Sequence, residues 1–326
     1  MAFETVTTTA MDAVSPDDVI ARHGRVDRWH APDGWAHRRF TLPAAADVAP
    51  RGTILFQGGR GDIFEKYLET FAHWHRAGWA VASFDWRGQG GSGRLGSDPK
   101  TGHLTDFAPL VADLAAFWRD LPADALGARV VAGHSMGGFL VLRALVEGAI
   151  DPRAAVLVAP MLGLHGAPLG LTLSVALARA MVRLGPPDRA AWKSNEKPAT
   201  LTSRRRLLTH DDARYDQEIA AKRADPSIAV GPPSWAWVNA AFEGTRALEH
   251  DPRLRAMKVP TLILSADADK LVAAKAARRI AARLPDARLV RFGPESAHEI
   301  LRESDRVRDR ALAEIDTFLD QRAPAH

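Results

Sequence analysis

The chemistry this chain can do traces to one serine, one histidine and an aspartate. Ser135 lies at the centre of Gly133-His134-Ser135-Met136-Gly137, between an apolar run at 128–132 and an apolar helical pattern at 139–145. A serine hydroxyl is a poor nucleophile at neutral pH. It needs a base within hydrogen-bond reach, and the base needs a carboxylate that fixes its tautomer and stabilises the imidazolium. Beyond residue 250 the histidines are His298, in a loop after the last strand pattern, and His326 at the chain end. His298 is therefore the expected base. Asp267 and Asp269 both follow the apolar run at 259–266. Asp269 is the expected acid, because the loop must leave the strand end before it can reach a histidine; Asp267 is then a turn residue or a partner of the acid. Asp267, Asp269 and His298 could share a metal only with further ligands at suitable spacing. The sequence supplies none, so neither a metal nor a cofactor is expected.

The spacing around the serine has a steric cause. A serine held in a strained turn requires small residues two before and two after it, so that strand and helix can pass closely. Gly133 and Gly137 meet that requirement. Strand, sharp turn with a serine at its tip, then helix, is the nucleophile elbow of the α/β-hydrolase fold. The helix N-terminus aims backbone N–H groups and a positive dipole end at the reacting atoms. An oxyanion needs two such donors, and Met136, directly after the serine, offers one. The other is expected from Gly58-Gly59-Arg60-Gly61, a loop that follows the buried strand pattern at 52–56. This loop matches neither Gly-x-Gly-x-x-Gly nor the phosphate-binding loop ending in Gly-Lys-Ser/Thr, so nucleotide binding is not expected.

Strand patterns at 25–31, 36–42, 52–56, 79–84, 128–132, 154–159, 259–266 and 288–292 alternate, from the third onward, with helical ones. Helices are expected at about 64–77, 104–121 and 273–284, and a final helix opened by 293–301 and ending near 319. That alternation predicts an α/β fold: a doubly wound, mostly parallel eight-stranded sheet. It stops between 161 and 250, where helix-like stretches, the run Arg204-Arg205-Arg206 and the Trp235-Ala236-Trp237 segment fall. The chain thus divides into a polar lead-in at 1–24, a core at 25–160 and 251–326, and an inserted α-helical cap at 161–250. Trp235 and Trp237 either line an acyl pocket or pack the cap on the core. The arginine run either forms a solvated helix face or meets lipid phosphate. Asp85 and Arg87, at a strand end, read as structural.

The 326 residues suffice for one large α/β domain with an insertion. At 46% hydrophobic and 25% charged, the composition is that of a soluble globular protein. A net charge of +4 is too weak to argue for a nucleic-acid partner, yet suits an acidic substrate or an anionic surface. The absence of cysteine excludes disulfides and thiolate chemistry. No basic-then-apolar leader opens the sequence, and the longest apolar stretch, 169–184, is broken by Ser174, Arg179 and Arg183. The expectation is a cytoplasmic protein acting on a small-molecule acyl ester, with room for peripheral membrane contact.

Four segments together resemble the lysophospholipase L2 and monoacylglycerol lipase group of α/β hydrolases, which also includes proteins labelled serine aminopeptidases. They are Gly133-His134-Ser135-Met136-Gly137-Gly138, Phe84-Asp85-Trp86-Arg87-Gly88-Gln89-Gly90-Gly91-Ser92-Gly93, Ala266-Asp267-Ala268-Asp269-Lys270-Leu271 and Ala297-His298-Glu299-Ile300-Leu301. The resemblance implies Ser135 as nucleophile, Asp269 as acid, His298 as base and Met136 as oxyanion donor, with a cap between the sixth and seventh core strands. Monoacylglycerol lipases usually carry a His-Gly pair in the oxyanion loop; the matching positions here are Gly58-Gly59, followed by Arg60. Lining up Glu65-Lys66-Tyr67 with the family makes the Arg60 N–H the second donor, with Gly59 as the fallback. The loop looks more like the lysophospholipase branch. What the resemblance implies is a serine carboxylic-ester hydrolase for single-chain acyl lipids, lysophospholipid or monoacylglycerol. The same three residues would also serve a small-ester carboxylesterase or an acyltransferase. A non-catalytic ligand-binding protein on this fold would have a broken triad, and no position is broken here.

Overall fold

The computed structural model describes residues 15–122, 127–165, 170–192 and 202–325. Its strands are β1 (Arg25–His30), β2 (Ala36–Leu42), β3 (Gly52–Gln57), β4 (Trp79–Phe84), β5 (Ala128–His134), β6 (Ala154–Val158), β7 (Thr261–Ala266) and β8 (Ala287–Phe292). They form one sheet in the order β1-β2-β4-β3-β5-β6-β7-β8. β1 with β2, and β2 with β4, run antiparallel; the remaining neighbours are parallel. After β3 the chain steps outward to β4 and then returns across β3 to place β5 on its other side. The winding direction therefore reverses between β3 and β5, and such a crevice at the carboxyl ends of the strands is where open α/β sheets bind ligands. The Gly58–Asp62 loop follows β3 and Ser135 follows β5.

Helices cover both faces: α1 (Pro16–His23), α2 (Leu68–Arg76), α3 (Ala108–Asp120), α4 (Met136–Val146), α5 (Leu171–Arg183), α6 (Thr202–Leu208), α7 (Asp212–Ala224), α8 (Trp235–His250), α9 (Ala274–Ala281) and α10 (Asp305–Arg322). Side chains alternate across each strand, so the sheet feeds two cores. Val131 of β5 points to the side of α3, α4 and α9, where Leu114, Phe139 and Ile280 are buried. Val130 and Ala132 point to the side of α2 and α10, where Phe71, Trp74 and Phe318 are buried. Helices α5 to α8 lie between β6 and β7 in the chain. The Asp85–Arg87 turn after β4 is braced by ion pairs of Asp85 with Arg38 and of Arg87 with Asp33 and Asp113.

Three elements differ from the sequence patterns. Residues 16–23, polar and without clear periodicity, form α1, because Ser15 caps it by accepting the Asp18 N–H at 3.1 Å and Pro16 opens its first turn. The pattern at 64–77 splits into a 3₁₀ turn, Phe64–Tyr67, and α2. The last helix begins only at Asp305, since residues 293–304 are used by a turn and a short 3₁₀ segment, Ile300–Arg302, that carry the His298 loop.

The elbow shows the steric rule acting. Ser135 has φ 52° and ψ −117°, outside the regions L-residues favour. A Cβ on Gly133 would lie 2.7 Å from the carbonyl carbon of Gly137, and one on Gly137 would lie 2.3 Å from the backbone oxygen of Gln57. Helix α4 therefore presses directly on β5 and on the end of β3. Gly137→Ala is expected to destabilise the fold by about 2 kcal/mol or more, read as a lowered midpoint in denaturant. Gly34→Ala, at φ 86° with open space around it, is expected to cost only about 1 kcal/mol of left-handed strain.

Candidate active site

Ser135 is held at the tip of the elbow by its own backbone. Its N–H donates to the Val158 oxygen of β6 at 3.0 Å, and its oxygen accepts the N–H groups of Phe139 and Met161. The side chain points to His298, whose Nε2 lies 2.9 Å from Ser135 Oγ. The His298 Nδ1 lies 2.6 Å from Asp269 Oδ2. A carboxylate only accepts, so Nδ1 carries the hydrogen and Nε2 is left to accept the serine O–H. The other oxygen of Asp269 accepts the backbone N–H groups of Leu271 (2.7 Å) and Val272 (3.0 Å). Burial alone would raise the Asp269 pKa, but His298 and these two N–H groups overcome it and hold the carboxyl below its ordinary value. The structure thus brings together Ser135, His298 and Asp269, which are separated by up to 163 residues. Asp267 faces elsewhere and pairs with Arg278 and Arg291.

Met136 opens α4, so its N–H is among the donors a helix leaves without an internal acceptor. Across from it runs the loop after β3. A Cβ on Gly59 would lie 2.9 Å from the Ser135 Cβ, so the loop backbone touches the serine and only glycine fits. The Gly59 N–H donates to Asp62 Oδ2 at 2.6 Å. The Gly58 oxygen accepts the Trp86 indole N–H at 2.8 Å, and the Gly61 N–H donates to Gln89. The Arg60 guanidinium reaches toward the start of α8, donating to the Gly231 oxygen at 2.8 Å and lying 5.6 Å from the Trp237 ring centre. Trp237 is buried and packs edge-on against Phe107. Trp235, in the first turn of α8, is half-buried and its N–H donates to the Arg189 oxygen.

No local sequence pattern marks the charges beneath this loop. Asp62, Lys66, Glu218, Lys222, Glu299 and Arg302 are all buried. Lys66 pairs with Asp62, Glu299 and Glu218; Arg302 pairs with Glu218 and Glu299; Lys222 pairs with Glu218. Three carboxylates thus meet three cations. Burial would raise the Asp62 pKa, but Lys66 and His134 hold it well below the carboxylate range; burial would lower that of Lys66, but its three acids hold it raised. Asp62 and Lys66 are four residues apart and would pass for a surface pair. Glu299 adjoins His298, and Glu218 and Lys222 come from α7, so only the fold assembles them.

The end of helix α6 also grips the histidine loop. The N–H groups of His298 and Glu299 donate to the oxygens of Leu207 (3.4 Å) and Leu208 (2.7 Å), at the end of α6. Beyond it, Thr209 Oγ1 donates to the Arg302 oxygen at 2.7 Å, and Glu303 accepts from the His210 N–H. Among the described residues no group of three or more His, Cys, Asp or Glu side chains is arranged to hold a metal ion.

With this geometry in view, comparison with known proteins is direct. The family model for serine aminopeptidase S33 matches residues 48–305. Lysophospholipase L2 of Escherichia coli K12 is 31% identical over 284 residues, covering 81% of this chain and 78% of that protein. A monoacylglycerol lipase of Mycolicibacterium smegmatis is 25% identical over 264 residues, covering 79% and 85%. In fold, a soluble variant of monoglyceride lipase from Saccharomyces cerevisiae superposes with a TM-score of 0.71 at 18% identity, covering 92% of this chain and 96% of that one. The chain belongs to the serine aminopeptidase S33 family and is an α/β hydrolase of the lysophospholipase and monoacylglycerol lipase type.

Proposed function

We propose that the protein hydrolyses carboxylic esters of single-chain acyl lipids, lysophospholipid or monoacylglycerol, through an acyl-enzyme on Ser135. The observation that carries this reading is the continuous hydrogen-bond relay from Asp269 through His298 to Ser135. Ser135 Oγ attacks the acyl carbonyl while His298 Nε2 removes its proton, and Asp269 stabilises the imidazolium. The tetrahedral oxyanion is held by the N–H groups of Met136 and Arg60. Gly59 is disfavoured as a donor because its N–H is already bonded to Asp62; its part is to let the loop lie against the serine. His298 then protonates the leaving alcohol. Water, deprotonated by the same histidine, releases the fatty acid and restores the serine.

The relatives' names support a lipid ester, and the cap supports an approach to lipid. Helix α5 exposes Leu171, Leu173 and Leu177, with Leu184 and Trp192 exposed beyond it. No acidic residue lies in α5, and Arg179 and Arg183 close it. Apolar side chains flanked by arginines suit peripheral contact with an anionic lipid surface. Among the described residues no helix is long and apolar enough to cross a membrane.

Ser135→Ala is expected to abolish ester hydrolysis and fluorophosphonate labelling while leaving the thermal melt nearly unchanged; retained turnover would move the chemistry elsewhere. Asp269→Asn should lower kcat by about 10³-fold or more, because an amide can present its N–H₂ to Nδ1 and favour the wrong tautomer. Fatty-acid release from lysophosphatidylcholine and from the monoacylglycerol of the same chain, measured side by side, separates the two substrates. A preference for the phospholipid is the expected result; equal or reversed rates would point to a general monoacylglycerol lipase or esterase.

A further inference from the structure

The buried charges beneath the oxyanion loop do more than fill space. Asp62 is the centre of the arrangement. Its Oδ2 accepts from the Gly59 N–H (2.6 Å), from the Tyr67 hydroxyl (2.7 Å) and from His134 Nδ1 (2.9 Å), while its Oδ1 accepts from Lys66 Nζ (2.5 Å). One carboxylate thus ties the loop backbone beside the serine, the residue immediately before the serine and the buried cation. The His134 ring lies 4.8 Å from that of His298, so the same anchor stands behind both Ser135 and its partner.

The second hold on the loop comes from the cap. Lys222, on α7, donates to the Gly61 oxygen at 3.3 Å and is paired with Glu218 of the same helix. Glu218 in turn meets Lys66 and Arg302, and those two meet Glu299, the neighbour of His298. Arg60 lies between the two held residues, Gly59 and Gly61. Its N–H direction is set by the peptide planes on either side, so whatever fixes Gly59 and Gly61 fixes that donor.

Resting on the hydrolytic reading above, we propose that Asp62 and Lys222 are positioning residues for the oxyanion hole, one from the core and one from the cap, so that the seating of α7 on the core sets how well the tetrahedral intermediate is stabilised. An oxyanion donor acts through its exact placement where charge develops, and removing one outright costs about 10²–10³-fold in kcat. Loosening one should cost less, and should appear in the transition state more than in substrate binding.

The test measures p-nitrophenyl butyrate hydrolysis and inhibition by an alkyl boronic acid, which forms a tetrahedral adduct on the serine, at a temperature where melts show each variant folded. End-point titration with a fluorophosphonate counts competent sites. Asp62→Asn keeps the shape of the side chain, but one of its two ends becomes a donor, so it cannot accept at once from Lys66 and from Gly59. We expect kcat per site to fall about tenfold, KM to stay within about twofold, and the boronate Ki to rise in proportion to the loss in kcat. Lys222→Gln, which leaves Asp62 and its partners in place, should move the same quantities in the same directions by about threefold. It keeps the test decisive should Asp62→Asn fail to fold. Either folded variant with kcat and boronate Ki within twofold of the parent overturns the proposal, as does a rise confined to KM. Ser135→Ala, run in parallel, tests the hydrolytic reading itself. Its retained turnover would sink that reading, whereas an inactive Ser135→Ala beside an unaffected Asp62→Asn sinks only the present proposal.

Discussion

A serine in a backbone conformation that L-residues avoid is the constraint the molecule is arranged around. Holding Ser135 at φ 52° costs of the order of 1–3 kcal/mol, and the strain persists only because the surroundings over-determine it. A hydrogen bond donated to β6, and others accepted from the first turn of α4 and from Met161, leave the residue no alternative. The glycines at 133 and 137 let α4 close down on β5 and β3. The same close approach puts the N-terminus of α4 beside the loop after β3, at the crevice between β3 and β5 where the sheet reverses its winding. A hydroxyl at the tip of such a turn stands clear of its own helix, which is what lets a histidine from a distant loop reach it.

The molecule also tolerates a dense group of charges in its interior. Taking an ion out of water costs several kcal/mol, repaid only when partners and hydrogen bonds are well placed. The six charged side chains below the loop after β3 come in equal numbers of each sign, and each carboxylate faces more than one cation or N–H group. Such a cluster is weak evidence for stability. Its more useful property is direction: a charged hydrogen bond has one good geometry, where an apolar contact has many. The elements it joins are the loop beside the serine, the loop carrying the histidine and the cap helix α7.

What could be read from the sequence was what has a fixed order or a fixed spacing. The Gly133–Gly137 spacing follows from a local steric rule, the alternation of strand and helix from hydrophobic periodicity, and His298 from its place after the last strand. Asp269 could be preferred to Asp267 from the loop path alone, and the structure gives Asp267 to Arg278 and Arg291 instead. Helix α1 went unseen because it is marked by Ser15 and Pro16 at its start rather than by an apolar stripe. The start of α10 was read too early, since the apolar residues at 297 and 300–301 serve the histidine loop and not a helix. Asp62, Lys66, Glu218, Lys222, Glu299 and Arg302 carry no local pattern at all. Their association is a product of tertiary structure, and each would be taken singly for a solvated residue.

The stitching of α6 to the histidine loop bears on how the protein is made. During synthesis the elbow emerges early: once β3, β5, β6 and α4 can associate, the strained serine can form. Its partner His298 follows 163 residues later, and the loop that carries it donates backbone hydrogen bonds to the oxygens of Leu207 and Leu208. Vectorial emergence from the ribosome therefore makes Ser135 long before His298. The relay from Asp269 through His298 to Ser135 can be completed only once the C-terminal third has been made.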